Sequence, residues 1–137
     1  MPIFIYSQDT GNLYDSGNPS NIPIATGYSG AGAYQNDPAS QCYQDLGPIP
    51  RGTYTIGPMG DAVLGNGKVL KNALLLTPDP ANAMCGRAGF YIHGDNATYP
   101  GWASEGCIVI QDLAQRKLVN NAVTAGMDQL EVRQHFG

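Results

Sequence analysis

The sequence is short of charge, of histidine and of long apolar runs, and each shortage removes a class of function. Charged residues make up 13% of the chain, the net charge is −4, and Lys and Arg never cluster. A phosphate backbone needs a basic patch, so nucleic acid is not expected as a partner. The apolar stretches, such as Ala73 to Leu76, fall far below the roughly 20 residues that cross a bilayer, and no membrane insertion is expected. Met1 to Ser7 has neither a basic n-region nor an extended apolar run, which predicts a chain made in the cytoplasm without a signal peptide. Two histidines and three cysteines without a C-x2-C knuckle give little support to a structural zinc site. Repeats and linkers are also missing, so residues 1–137 are expected to form a single domain.

What is present suits short strands and tight turns. Hydrophobic residues make up 42% of the chain, enough to offset ordering entropy, and the 18 glycines and 10 prolines are spread along it. Turn residues divide the sequence into extended pieces: Ile3 to Tyr6, Leu13 to Asp15 after an Asp9-Thr-Gly-Asn12 turn, Ile22 to Tyr28, and Gly52 to Ile56. Ala73 to Thr77 follows a hairpin turn at Gly65-Asn-Gly67, and Gly89 to His93, Cys107 to Gln111 and Gln129 to Arg133 complete the set. One segment differs. Ala114, Leu118, Val119, Ala122 and Val123 recur at helical spacing, with Gln115, Arg116, Lys117 and Asn120 between them. Asp112 as N-cap, Gln115 as its capping-box partner and Gly126 at the end predict one helix at about 112–125. The expected fold is mostly β, largely antiparallel, with that helix packed on one side.

Cys42, Cys85 and Cys107 are an odd number. In an exported protein this suggests one bridge and one free thiol, whereas in a cytosolic protein three reduced, buried cysteines are the simpler reading. The densest chemistry lies between Gly86 and Ile110. His93 ends one predicted strand and Cys107 begins another, so adjacent strands would bring imidazole and thiol together. An imidazole beside a thiol favours the thiolate, the working nucleophile. Gly106 admits close approach to the backbone, and the N–H groups of Gly106 and Cys107 could receive an oxyanion. The same residues also fit a core cysteine and a hydrogen-bonded structural histidine.

The run His93 … Ser104-Glu-Gly-Cys-Ile108 resembles the signature of the L,D-transpeptidase (YkuD-like) catalytic domain, and Gly47-Pro-Ile-Pro-Arg-Gly-Thr-Tyr54 resembles a second conserved segment of it. Ala25-Thr-Gly-Tyr-Ser-Gly30, Thr77-Pro-Asp-Pro80, Gly86-Arg87 and Ile92-His-Gly-Asp95 extend the resemblance to a short branch delivered by type VI secretion. Glu105 stands where the larger superfamily has a second His, and no Arg follows Cys107 closely.

The resemblance implies a β-sandwich-like domain that acts on the tetrapeptide stem of peptidoglycan. Cys107 is the implied nucleophile, His93 its base, and the intermediate a thioester resolved by water, a D-amino acid or a second stem. It implies no cofactor, an injected toxin acting in the periplasm of a target cell, an immunity protein and a carrier on the secretion apparatus. Arg87 is a candidate for gripping a stem carboxylate, although a surface Arg beside a turn fits as well. Asp95, Asn96 and Ser104 could orient His93 or line the site, and Tyr28, Tyr99 and Trp102 could wall it. Glu105 would be a solvated carboxylate or a neighbour of the site, and His135 a solvated tail. An oxidising destination and an unpaired nucleophile together imply a Cys42–Cys85 disulfide. Two other classes remain open, a non-catalytic wall-binding module and a papain-like wall amidase.

Overall fold

A computed structural model describes residues 2–18, 22–65, 67–95 and 104–136. Among these residues lie ten strands, two short 3-10 turns and one α-helix: β1 (Phe4–Ser7), β2 (Asn12–Asp15), β3 (Ala25–Thr26), β4 (Tyr28–Ser29), β5 (Gly52–Ile56), β6 (Gly60–Val63), β7 (Val69–Pro78), β8 (Phe90–His93), β9 (Ile108–Val109), α1 (Leu113–Thr124) and β10 (Gln129–Arg133). The protein is mostly β with one packed helix, as its sequence predicts. No helix among the described residues is long and apolar enough to cross a membrane.

Nine strands follow one path, β3-β2-β1-β10-β5-β7-β8-β9-β4, with β6 added against β7. The two ends of that path, β3 and β4, are separated in sequence by Gly27 alone. The sheet is therefore brought nearly to closure by one residue, and the predicted strand Ile22 to Tyr28 is in fact split between opposite edges. Gly27 donates its N–H to the Gly11 carbonyl at 2.8 Å. A Cβ at Gly27 would run into the Val109 carbonyl, so the crossing admits only glycine for steric reasons.

Alternation places one face of each strand in a common core that includes Phe4, Tyr6, Leu13, Tyr54, Ile56, Leu74, Leu76, Ile92, Ile108 and Leu130. Each fully buried aliphatic or aromatic side chain contributes about 1.5–3 kcal/mol. Most pairings are antiparallel, but β1 with β10 and β8 with β9 are parallel. β7 is longer than the predicted Ala73 to Thr77 because its first residues pair with β6. Gly-Asp-Ala-Val carries too little apolar alternation to announce β6 in advance. The predicted turn lies in that hairpin: Leu64 and Lys68 bond across it and Gly67 has a positive φ of 84°, while Asn66 falls outside the described residues.

The helix begins and ends close to the predicted 112–125. The Asp112 carboxylate accepts the Ala114 N–H at 2.8 Å, and Gly126 takes the positive φ that follows a helix end. Gln115 does not complete a capping box: its side-chain oxygen accepts the Thr26 N–H. The buried face is also rotated from the expected one. Arg116, Val119 and Val123 are buried, whereas Leu118 is 57% exposed. Arg116 can occupy the inner face because its Nη1 reaches the Ile110 carbonyl at 2.7 Å. At the C-terminus, the predicted solvated tail is tied down by His135 against the Asp9 carboxylate at 2.7 Å and by Phe136 stacked on Tyr14.

Candidate active site

The parallel pairing of β8 and β9 sets the site. Ile92 pairs with Ile108 and His93 with Val109, so Cys107, just before Ile108, stands beside β8 near His93. Ile92 and Ile108 point into the core, and alternation turns Cys107 and His93 to the other face. Both line one cleft of about 210 Å³, together with Gln44, Asp45, Lys68 and Glu105.

Arg87 builds the wall behind the thiol. Arg87 is 5% exposed, and its guanidinium donates to four backbone carbonyls: Nη1 to Gln41 (2.5 Å) and Pro48 (2.8 Å), Nη2 to Gly47 (2.9 Å) and Glu105 (3.0 Å). It also lies 5.4 Å from the centre of the Phe90 ring. This overturns the surface-Arg reading, and it leaves the fork committed to carbonyls rather than open for a stem carboxylate. Arg87 instead joins the 41–48 segment to the residues that carry Cys107.

Two serines fasten the turn that carries Cys107. Ser104 Oγ donates to the Cys107 carbonyl at 2.6 Å and accepts the N–H groups of Gly30 and Gly106. Ser29 Oγ donates to the Gly106 carbonyl and accepts the Ile49 N–H. Ser104 thus holds the turn rather than His93. Because the Gly106 N–H is already taken, it is not an oxyanion donor in this arrangement. Gly106 itself has φ +129°, and a Cβ there would strike the Arg87 guanidinium and the Phe90 ring. Ser29 was not legible as a site residue, since one serine in Tyr-Ser-Gly carries no signal apart from its tertiary neighbours.

Cys107 is the free cysteine, and its thiol donates weakly to the Gly89 carbonyl at 3.8 Å. Burial pushes the thiol up to about 11, with Glu105 adding to the rise and a Tyr91 backbone hydrogen bond and Arg87 opposing it. The expectation that the imidazole lowers it is not met: the thiol's hydrogen bond goes to Gly89 and the imidazole's to Gly94. His93 is buried, and Nδ1 lies 2.7 Å from the Gly94 carbonyl oxygen. A carbonyl only accepts, so Nδ1 carries the proton and Nε2 keeps its lone pair. Burial lowers the His93 pKa from 6.5; the Gly94 hydrogen bond and Asp95 oppose this, while Lys68 and Arg116 add to it. At rest the site therefore pairs a neutral thiol with a neutral imidazole.

Asp95 lies near enough to His93 to favour a proton on its ring. Its carboxylate accepts the Tyr28 hydroxyl at 2.6 Å, and its N–H donates to the Gln111 side chain. Tyr28 thus braces Asp95 and is not among the residues lining the Cys107 cleft. Glu105 is exposed and borders the cleft. Asn96, Tyr99 and Trp102 lie outside the described residues. Cys42 and Cys85 form a disulfide with their Cα atoms 5.3 Å apart. The adjoining Gln44, which lines the cleft, donates to the Cys85 carbonyl. Lys68 and Leu70, from the β6–β7 hairpin, also border the cleft; their nearness to Cys107 has no counterpart in sequence spacing. Among the described residues, no group of three or more His, Cys, Asp or Glu is placed to hold a metal ion.

No curated protein matches the chain. The family model of the Tlde1 domain matches residues 24–133, a span that runs from β3 to β10 and contains His93, Arg87 and Cys107. The chain therefore belongs to the Tlde1 domain family, the L,D-transpeptidase effectors of type VI secretion.

Proposed function

We propose that this protein is a peptidoglycan-modifying cysteine enzyme that acts on tetrapeptide stems through a thioester on Cys107. The observation that carries this reading is the shared cleft, in which an unbridged thiol and a histidine with a free Nε2 lone pair stand on neighbouring strands. Sγ attacks the carbonyl carbon that precedes the terminal D-alanine. The thiol proton passes to His93 Nε2 as the C–S bond forms and is then delivered to the leaving amine as the C–N bond breaks. A thiol raised to about 11 makes this transfer part of the attack rather than a prior equilibrium. The Cys107 N–H is the donor we assign to the oxyanion, since the Gly106 N–H is held by Ser104.

Water resolves the thioester to a tripeptide, giving L,D-carboxypeptidase activity. A D-amino acid resolves it by exchange. The Cys42–Cys85 disulfide suits an oxidising compartment such as the periplasm of an injected cell. An effector that attacks the wall also calls for an immunity protein in the producing cell.

The raised thiol pKa and the missing thiol–imidazole hydrogen bond favour one competing reading, a wall-binding module whose cysteine is inert. Mass spectrometry of muropeptides decides between them. The wild type should convert tetrapeptide stems to tripeptides or exchanged tetrapeptides, and Cys107→Ala and His93→Ala should each abolish conversion while the circular dichroism spectrum stays native. The two losses should not add, because nucleophile and base act as a unit. Binding of stems without any conversion by the wild type would establish the module instead.

A further inference from the structure

A second cleft shares Lys68, Leu70 and His93 with the first but is not lined by Cys107. It encloses about 420 Å³, and its polar lining is Lys68, Lys71, Arg116, Asp95 and His93. The chain has seven Lys and Arg residues and a net charge of −4; three of those seven meet here, against one carboxylate. That carboxylate, Asp95, already accepts the Tyr28 hydroxyl. Arg116 is 7% exposed, and its buried Nε has no hydrogen-bond partner among the described residues. Lys68 and Arg116 lie near enough to disfavour a proton on His93. An acidic protein has thus gathered cations from β7 and its approach and from α1 beside His93, the base of the proposed reaction.

We propose that this cleft binds the carboxylate of a free α-amino acid, the acceptor that resolves the Cys107 thioester. The inference rests on the thioester reading above. Carboxylate contacts to the cationic lining would hold the acceptor with its amino group toward His93. The acceptor reacts as the free amine. Its nitrogen bonds to the thioester carbonyl carbon, one N–H proton passes to His93 Nε2, the C–S bond breaks, and the proton returns to Sγ. A neutral imidazole is required for that transfer, and the surrounding positive charge favours it.

The test separates binding from turnover. Cys107→Ala protein, labelled with 15N, is titrated with D-alanine and with D-alaninamide at neutral pH while the Lys71, Gly94 and Asp95 amides are followed. D-alanine should shift these resonances saturably, and the amide should bind about tenfold more weakly for the loss of one charge-assisted contact. Lys71→Gln in the same background should weaken D-alanine by about fivefold or more. Equal affinity for acid and amide, or no effect of Lys71→Gln, would overturn the proposal. These outcomes hold whether or not Cys107 forms a thioester. In turnover with labelled D-alanine, Lys71→Gln in the active enzyme should lower the ratio of exchanged to hydrolysed stem by a similar factor, and an unchanged ratio would also overturn it.

Discussion

His93 Nδ1 lies 2.7 Å from the carbonyl oxygen of Gly94, the residue that follows it. The tautomer is therefore set by the backbone rather than by a buried carboxylate. Burial acts against protonation of the ring, with the Gly94 hydrogen bond and Asp95 opposing it. The imidazole is therefore neutral at rest, with Nε2 unprotonated.

The resting thiol provides the first prediction. With Cys107 raised to about 11, the rate of iodoacetamide alkylation of the free protein should climb about tenfold per pH unit between roughly pH 7 and 10. His93→Gln should leave that profile nearly unchanged, because no hydrogen bond joins the two groups at rest. A rate already level near neutral pH would reveal a preformed thiolate–imidazolium pair.

Stability should depend on pH through His93. Its folded pKa is lowered from 6.5, so as pH falls below 6.5 the unfolded chain takes up a proton that the native state refuses. The contribution is intact above 6.5 and is lost progressively as pH drops toward the folded pKa. Urea midpoints measured between pH 7.5 and 5 should fall more steeply for the wild type than for His93→Gln. Parallel profiles would show that His93 titrates alike in both states.

Arg87→Lys should cost about 1.5–3 kcal/mol of stability. An ammonium is compact and cannot span the four carbonyls that the guanidinium reaches across residues 41, 47, 48 and 105. Calorimetry gives the loss, and kcat measured well below the transition should fall with it, since Glu105 anchors the turn before Cys107. If Arg87→Lys kept native stability and lost only affinity for the stem, Arg87 would be a substrate contact after all.

Gly27→Ala should destabilise the fold by at least about 2 kcal/mol, because the added methyl meets backbone rather than a movable side chain. Gly60→Ala is the control, as nothing lies within 4 Å of a Cβ there. Chemical denaturation of the two variants should separate them clearly; equal midpoints would mean that the β3–β4 crossing can yield.

Local chemistry was legible in the sequence wherever one short segment decides the outcome. β5 and β10 fall on their predicted limits, because alternation and bounding turns are local signals. The helix was located by its Asp112 cap and its Gly126 end. Its buried face was not, since only the tertiary position of the Ile110 carbonyl makes the inner face acceptable to Arg116. Cys107 and His93 were recognisable as chemistry-bearing residues from the strand ends and turn residues around them.

Everything that makes those two residues a site was decided in three dimensions. The parallel pairing of β8 with β9, the split of one predicted strand at Gly27 and the grip of Arg87 on four carbonyls each join segments far apart in the chain. The same holds for the rise of the Cys107 pKa, which comes mainly from burial by distant segments. Residue type determines which reactive groups the chain carries, whereas pairing register and desolvation, which depend on what packs against them, determine their protonation and their partners.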